Sequence, residues 1–102
     1  MARPQPERRI MKQIEFPTGE PTYCATGPVL QCGASVDGSN ATYAITAEAL
    51  EDHFGAQSCR SEDLVRAFSG HRNDIEAVAR AMFEMTGSKQ ITLHSGHFRF
   101  RL

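Results

Sequence analysis

The first half of the chain alternates apolar and polar residues with the period of β-strands. Residues 14–16 read apolar, polar, apolar and precede a proline, which is typical of a short edge strand. Two longer runs, 29–36 and 41–45, flank Asp-Gly-Ser-Asn at 37–40. Because Asp and Gly tolerate positive φ, this spacing predicts a β-hairpin with a four-residue loop. Glycines and prolines across 18–28 predict a loop there.

Helical spacing replaces the alternation after position 46. Thr46 is a favoured N-cap residue for a helix that starts directly after it. Ala47, Leu50 and Phe54 then share one helical face. Gly55 follows where a left-handed C-cap residue is favoured. These positions predict a short helix between Thr46 and Gly55.

A longer apolar stripe predicts a second helix from Ser61 to Gly87. Gly70 interrupts it, at a cost of about 1 kcal/mol relative to alanine. One continuous helix is favoured because the stripe keeps its phase across Gly70. The alternative breaks the helix there and restarts it at Asn73, with Glu76 completing a capping box. The stripe comprises Leu64, Phe68, His71, Ile75, Val78 and Met82.

The C-terminal apolar residues change phase. They occupy odd positions at 91 and 93 and even positions at 98, 100 and 102, which a single regular strand cannot place on one face. A two-residue turn at Ser95 and Gly96 resolves the conflict and predicts a hairpin. The alternative is one strand with a bulge at Gly96.

Together these elements predict an α+β fold. A small, mostly antiparallel sheet contains the N-terminal strand, the central hairpin and the C-terminal strand or hairpin, and a short and a long helix pack on one of its faces. The length of 102 residues suits one domain, which we place at 12–102. Residues 1–11 contain two prolines and three arginines, so we expect a disordered arm.

Composition and charge exclude several classes of protein. The net charge of -1 lacks the positive excess expected of a nucleic-acid-binding domain. No apolar run approaches the roughly 20 residues of a membrane span, so we expect no membrane partner. The three cysteines are odd in number and irregularly spaced, and no secretory leader pattern precedes them. We therefore expect reduced thiols and a cytoplasmic location.

A series of short segments across about 12–94 resembles the bacterial family called domain of unknown function 1488. The resemblance implies a small bacterial cytoplasmic α+β domain and brings no established activity, cofactor or catalytic residue. The chain departs from the family pattern in the arm before Met11, in the tail after Gly96, and at Gly70. The matching segments are Ile14-Glu15-Phe16-Pro17, Ser35-Val36-Asp37-Gly38, Tyr43-Ala44-Ile45-Thr46-Ala47-Glu48-Ala49-Leu50 with Phe54, Ala67-Phe68, and His71-Arg72-x-x-Ile75-Glu76-x-x-Ala79.

A metal site is the first candidate chemistry. His94 and His97 would lie opposite each other across the predicted hairpin, with Cβ atoms about 5 Å apart. A thiolate from Cys24 or Cys32 would complete a zinc site. The cysteines lack the close pairing of convincing zinc motifs, so exposed imidazoles without a metal are the favoured interpretation.

Two further segments contain reactive residue types. His71 lies within the apolar stripe beside Arg72, where an imidazole can act as an acid or a base. The favoured interpretation is a histidine at the rim of the core, since no nucleophile or carboxylate is placed near it by spacing. Cys59 precedes Arg60 and a helix start, a setting that stabilises thiolates, but a plain loop cysteine fits equally well.

A basic patch is the last candidate. Arg99 and Arg101 alternate with phenylalanines and, together with the arginines of the arm, would contact phosphate groups. The net charge makes nucleic acid an unfavoured partner. We therefore expect a non-enzymatic module without a cofactor, which contacts a protein partner or a second copy of itself. The alternatives are a nucleic-acid accessory protein and an enzyme that uses zinc or a thiol.

Overall fold

A five-stranded sheet forms the centre of the fold. The computed structural model describes residues 13–101, and the predicted arm at 1–11 lies outside them. The strand order is β1-β3-β4-β5, and β2 pairs with β3 beside β1. Every pairing is antiparallel except that of β4 with β5, which is parallel. The strands are β1 (Ile14–Glu15), β2 (Thr22–Cys24), β3 (Val29–Val36), β4 (Ser39–Thr46) and β5 (Gln90–Leu93).

The central hairpin is confirmed, but its predicted loop length is wrong. Asp37 and Gly38, with φ of 52° and 83°, alone connect β3 to β4, and Ser39 and Asn40 already pair with β3. Positive φ at both turn residues gives the tight two-residue turn that matches strand twist. The Asp37 carboxylate also accepts a hydrogen bond from the Gln13 backbone N–H at 2.8 Å. This bond ties the start of the edge strand β1 to the turn.

One strand lies in a segment that the sequence analysis predicted to be a loop. β2 has three residues, and its Thr22 and Tyr23 are both exposed, so its sequence carries no alternation. The Tyr23 hydroxyl donates to the Cys59 carbonyl at 3.3 Å. The short strand therefore connects the sheet edge to the loop before the second helix.

The first helix, α1 (Ala47–Phe54), has the predicted ends. The Thr46 hydroxyl accepts a hydrogen bond from the Ala49 N–H at 3.1 Å, and Gly55 ends the helix with φ of 77°. Both caps satisfy backbone groups that a helix terminus leaves without partners. Leu50 is fully buried, which fixes α1 against the core.

The continuous second helix is a wrong prediction, because His71 breaks it. α2 (Ser61–Gly70) and α3 (Arg72–Thr86) flank His71, whose φ of −131° is not helical. His71 is exposed rather than part of the buried stripe. The apolar residues keep a helical spacing across the break, because only one non-helical residue separates two helices that bury their apolar faces in the same core. The alternative of a break at Gly70 is confirmed, although α3 begins at Arg72 rather than at Asn73 and has no side-chain cap.

The C-terminal hairpin and the bulged strand are both wrong. β5 is followed by a 3₁₀ helix (Ser95–Arg101), whose His97 N–H donates to the His94 carbonyl at 2.9 Å. Phe98 is 3% exposed, so the phase change reflects a switch from strand to helix. β5 runs parallel to β4, and the three helices between them form the long crossover connection that a parallel pair requires.

The helices cover one face of the sheet. Leu30, Cys32, Ala34 and Val36 alternate along β3 with more exposed residues, as expected of a sheet with one solvated face. None of the described helices has the length and apolar character needed to cross a membrane. The largest fully buried side chains are Tyr43, Phe68, Phe83, Leu30, Ile45, Leu50, Leu64, Ile75 and Leu93.

Candidate functional site

An apolar groove lies between α3 and the C-terminal 3₁₀ helix. Its volume is about 320 Å³. Met85, near its end, is 73% exposed, whereas large apolar side chains of a folded domain are usually buried. We call this surface the methionine groove; it is lined by Ala77, Val78, Ala81, Met82, Met85, Gly96 and His97.

The groove follows from the way α3 packs. Ile75, Ala79 and Phe83 are fully buried against the sheet. At 100° per residue, Ala81 and Met85 lie on the flank of the helix, away from that face. Within the described chain the other exposed large apolar residue is Tyr23, whose hydroxyl is hydrogen-bonded. Met85 therefore belongs to an apolar surface of α3 that is not buried against the rest of the fold.

Helix α1 holds the second wall of the groove. The Ser95 hydroxyl donates to the Asp52 carboxylate at 2.7 Å, and His53 Nε2 lies 3.0 Å from the Ser95 carbonyl oxygen. The ring of Phe98 packs edge-on against Phe54 with centroids 5.1 Å apart. These contacts fix the 3₁₀ helix and hence the position of its groove residues.

These three polar residues do not form a catalytic triad. In a triad the histidine lies between serine and carboxylate and takes the serine proton. Here Ser95 lies between His53 and Asp52 and gives its hydrogen bond to the carboxylate. His53 Nε2 lies 3.2 Å from the Ser95 hydroxyl and 3.0 Å from its carbonyl oxygen, so the imidazole and the carboxylate both hold Ser95 and position the 3₁₀ helix.

A second feature is a polar cluster beneath the N-terminal half of α3, formed by Cys32, Tyr43, Arg72 and Glu76. Tyr43 is 1% exposed, and its hydroxyl makes no hydrogen bond of good geometry within the described chain. The thiol of Cys32 is close enough to interact with it electrostatically. Burial raises the pKa of Tyr43 well above its ordinary value, and burial also raises the pKa of the Cys32 thiol.

The charged half of this polar cluster connects α3 to β1 and its following loop. Arg72 donates to the Glu76 carboxylate at 2.9 Å and to the Pro17 carbonyl at 2.9 Å. Its guanidinium also lies over the Phe68 ring, 5.1 Å from the centroid. The hydrogen bond to Glu76 raises the pKa of Arg72 further. Because Cys32 and Tyr43 stay protonated, neither side chain of the polar cluster is an activated nucleophile. The contacts of Arg72 hold the N-terminal end of α3 in place.

The structure brings two of the four residues proposed for a metal site together. His94 and His97 are neighbours with ring centroids 5.7 Å apart, but the His94 N–H donates to His97 Nδ1 at 2.8 Å. Cys24 is half-buried in β2 and Cys32 is buried in β3. Over the described residues, no three His, Cys, Asp or Glu side chains are grouped to hold a metal ion. The pairing predicted across a hairpin is absent because the hairpin is absent.

The remaining candidate residues are His71, Arg72, Cys59 and the C-terminal arginines. The His71 ring packs against Phe54 with centroids 5.1 Å apart, and Arg72 belongs to the polar cluster. Cys59 is exposed in the loop before α2. Arg99 is exposed, whereas the Arg101 side chain and the arginines of the arm lie outside the described residues. The basic patch therefore stays a prediction.

The sequence analysis did not identify the methionine groove, although a signal was available. Ala77, Ala81 and Met85 recur every four residues on α3, beside the apolar stripe. This spacing places them on one helical face. A second apolar face next to the core face indicates a surface that the fold itself leaves uncovered.

The fold and its surfaces define a small α+β domain whose mixed sheet is covered by helices on one face. The chain belongs to the family described as Protein of unknown function (DUF1488), whose family model matches residues 14–93. No curated protein and no solved structure matches the chain. The matched range includes the polar cluster and all of α3 but ends before the 3₁₀ helix that forms the second wall of the groove.

Proposed function

We propose that this protein is a non-enzymatic interaction module of the cytoplasm, whose methionine groove binds an apolar helix of a protein partner. The observation that carries the proposal is Met85, which is 73% exposed at the end of an apolar groove. Exposed apolar patches are a feature of interaction sites on folded domains.

The residue types of the groove suit a helical ligand. Ala77 and Ala81 have small side chains, which let a second helix approach α3 closely. Met82 and Met85 have flexible, polarisable side chains that adapt to the shape of a partner. Covering one such methionine contributes roughly 1.5–3 kcal/mol.

The chemistry of the polar cluster and of the cysteines supports a non-enzymatic role in a reducing compartment. The buried polar cluster keeps Cys32 and Tyr43 protonated, and Arg72 and Glu76 bind each other. Cys24, Cys32 and Cys59 are all unpaired, as expected of cysteines in the cytoplasm.

Site-specific photo-crosslinking in the native host tests the proposal. A photo-reactive phenylalanine analogue replaces Met85 in the groove or, as the control, exposed Glu62 on α2. We expect a defined crosslinked protein from position 85, absent from position 62 and lost when Ala81→Arg fills the groove. Equal crosslinking at both positions, or none at position 85, would overturn the proposal.

A further inference from the structure

We infer that His97 closes the first turn of the 3₁₀ helix when its ring is neutral and loosens that turn when the ring is protonated. Acid thereby weakens the second wall of the methionine groove. The inference rests on the proposed function and deepens it by naming what regulates the groove. Its basis is a reciprocal pair of hydrogen bonds between His94 and His97.

The two histidines form a reciprocal cap at the start of the 3₁₀ helix. The His97 N–H donates to the His94 carbonyl at 2.9 Å, and the His94 N–H donates to Nδ1 of the His97 ring at 2.8 Å. A capping box has the same arrangement at the start of an α-helix, where a Glu or Gln side chain accepts the backbone N–H of the cap residue. Here an imidazole supplies the acceptor, so the cap depends on the protonation of a ring.

The bond to Nδ1 fixes the state of the His97 ring. Because a backbone N–H only donates, Nδ1 must present its lone pair, and the ring proton must lie on Nε2. Protonation places a hydrogen on Nδ1, and the ring then no longer accepts the His94 N–H. The closed turn therefore binds fewer protons than the open turn. The open population rises as the pH falls through the range of about 5 to 8 in which histidines ordinarily ionise.

Apolar and cationic neighbours oppose a charge on His97. The α3 side chains that line the groove with it are alanine, valine and methionine, which cannot solvate an imidazolium. In the tail, the His94 ring lies 5.7 Å away between centroids and becomes cationic in acid, and Arg99 is exposed on the same 3₁₀ helix. The acids Asp74 and Glu84 fall on the groove side of α3 at 100° per residue. Both are exposed and lie outside the groove lining.

Contacts with the core and with α1 hold the two ends of the turn across this pH range. The Ser95 hydroxyl donates to the Asp52 carboxylate, and the Ser95 carbonyl accepts from His53 Nε2. Protonation adds a hydrogen to Nδ1 of His53 and leaves its Nε2–H donor in place. Phe98 is buried on the far side of the turn. Because His97 lies between these anchors, acid loosens the turn without detaching the tail.

Amide exchange with water, measured by NMR on the full chain at about pH 7.5 and about pH 5.5, tests the inference. Protection factors correct for the intrinsic dependence of exchange on pH. Release of the turn exposes both N–H groups of the cap, so the protection of His94 and of His97 should each fall about fivefold in acid, as expected for the loss of one exposed hydrogen bond. The ring-nitrogen shifts of His97 should show its proton on Nε2 at the higher pH.

Two substitutions of His97 give opposite expected results. His97→Gln keeps an acceptor that suits a capping box and does not titrate, so both protection factors should stay the same in acid. His97→Ala removes the acceptor, so the low protection should be present at both pH values. The matched control is His71→Gln, the same substitution at an exposed histidine outside the tail, which should keep the pH dependence of the wild-type protein.

Three results would overturn the inference. The first is a fall in protection at His94 alone, which would mean that the bond breaks while the turn stays closed. The second is a proton on Nδ1 of the neutral His97 ring. The third is an equal decrease of protection in the wild-type protein and in His97→Gln.

The photo-crosslinking variant separates this inference from the proposed function. In host lysate, crosslinking from position 85 should fall by up to about fivefold in acid, and it should not fall when His97→Gln is added. A crosslink that is independent of pH while the cap opens overturns the regulation of the groove and leaves the proposed function standing. A cap that opens in a chain without any crosslink supports the role of His97 in the turn and overturns the proposed function.

Discussion

Tyr43 shows how one buried polar atom constrains what this protein can do. Its ring packs edge-on against Phe16 and Phe83, with centroids 5.6 and 6.5 Å away. Its hydroxyl lies beside the Cys32 thiol but makes no hydrogen bond of good geometry within the described chain, so burying it costs free energy that is not recovered. The aromatic ring of Tyr43 therefore stabilises the fold, whereas its buried hydroxyl oxygen destabilises it.

We expect Tyr43→Phe to leave the free energy of unfolding unchanged or to raise it by up to about 1 kcal/mol, because the variant keeps the ring and removes the unbonded oxygen. Urea unfolding measures the change. Tyr23→Phe is the control, since it removes an exposed hydroxyl that is hydrogen-bonded to Cys59 and should change stability by less than about 0.5 kcal/mol. A loss above about 1 kcal/mol in Tyr43→Phe would show that the hydroxyl has an essential native partner.

The same two residues predict a loss of stability in alkaline solution. Burial raises the pKa of Cys32 from 9.0 and that of Tyr43 from 10.0, so above these values the unfolded chain loses protons that the folded chain retains. Stability should be full below about pH 9 and fall as the pH rises, by at most about 1.4 kcal/mol per pH unit for each group.

Urea titrations between pH 8 and 11 check this prediction. Tyr43→Phe should abolish the part of the decline that begins near pH 10, the ordinary value for tyrosine. Cys32→Ala, which also opens a small cavity, should abolish the earlier part that begins near 9.0. Identical slopes in all three proteins would show that neither group titrates with unfolding.

At the scale of elements, the sequence predicted ends of helices better than their continuity. Thr46, Gly55 and Gly87 act as caps, because capping depends on local backbone geometry that the residue types reveal. Gly70 did signal the break beside His71, but the preserved apolar spacing favoured one continuous helix. The parallel direction of β5 depends on the path of three helices, which local alternation does not encode.

Gly70 and Gly55 predict opposite effects of the same substitution. Gly70 is the last residue of α2, has no positive φ and leaves open space for a Cβ atom, so Gly70→Ala should raise stability by up to about 1 kcal/mol. Gly55 has φ of +77°, so Gly55→Ala should lower it by about 1 kcal/mol. Thermal unfolding of both variants provides the comparison. A destabilised Gly70→Ala protein would show that the break at His71 requires glycine before it.

At the scale of the whole molecule, the sequence suffices to predict the fold class, but it shows only the α3 wall of the methionine groove. The alternation of apolar and polar residues in the strands and the capping residues of the helices suffice to predict an α+β domain. The methionine groove requires the tail to fold back beside α3, and the tail changes from strand to 3₁₀ helix at Ser95. That change depends on contacts of Ser95 and Phe98 with α1, which are distant in sequence. Contacts between residues distant in sequence therefore determine the position of the 3₁₀ helix, which forms the second wall of the methionine groove.

These contacts predict that the tail is part of the cooperative unit, although it lies beyond residues 14–93 of the family match. Phe98 is 3% exposed and packs against His53 and Phe54. Phe98→Ala should cost about 3–5 kcal/mol, which for a domain of this size lowers the melting temperature by at least about 12 °C.

Circular dichroism melting tests this prediction, with Arg99→Ala as the control because Arg99 is exposed on the same 3₁₀ helix. The control should melt within about 4 °C of the wild-type protein, since substitutions of exposed residues rarely exceed 0.5 kcal/mol. If Phe98→Ala also melts there, the tail is an appendage that opens independently of the sheet. In that case one wall of the methionine groove is not fixed by the fold, and binding would have to order it. A large decrease means that the core which holds the sheet together also holds the groove in shape.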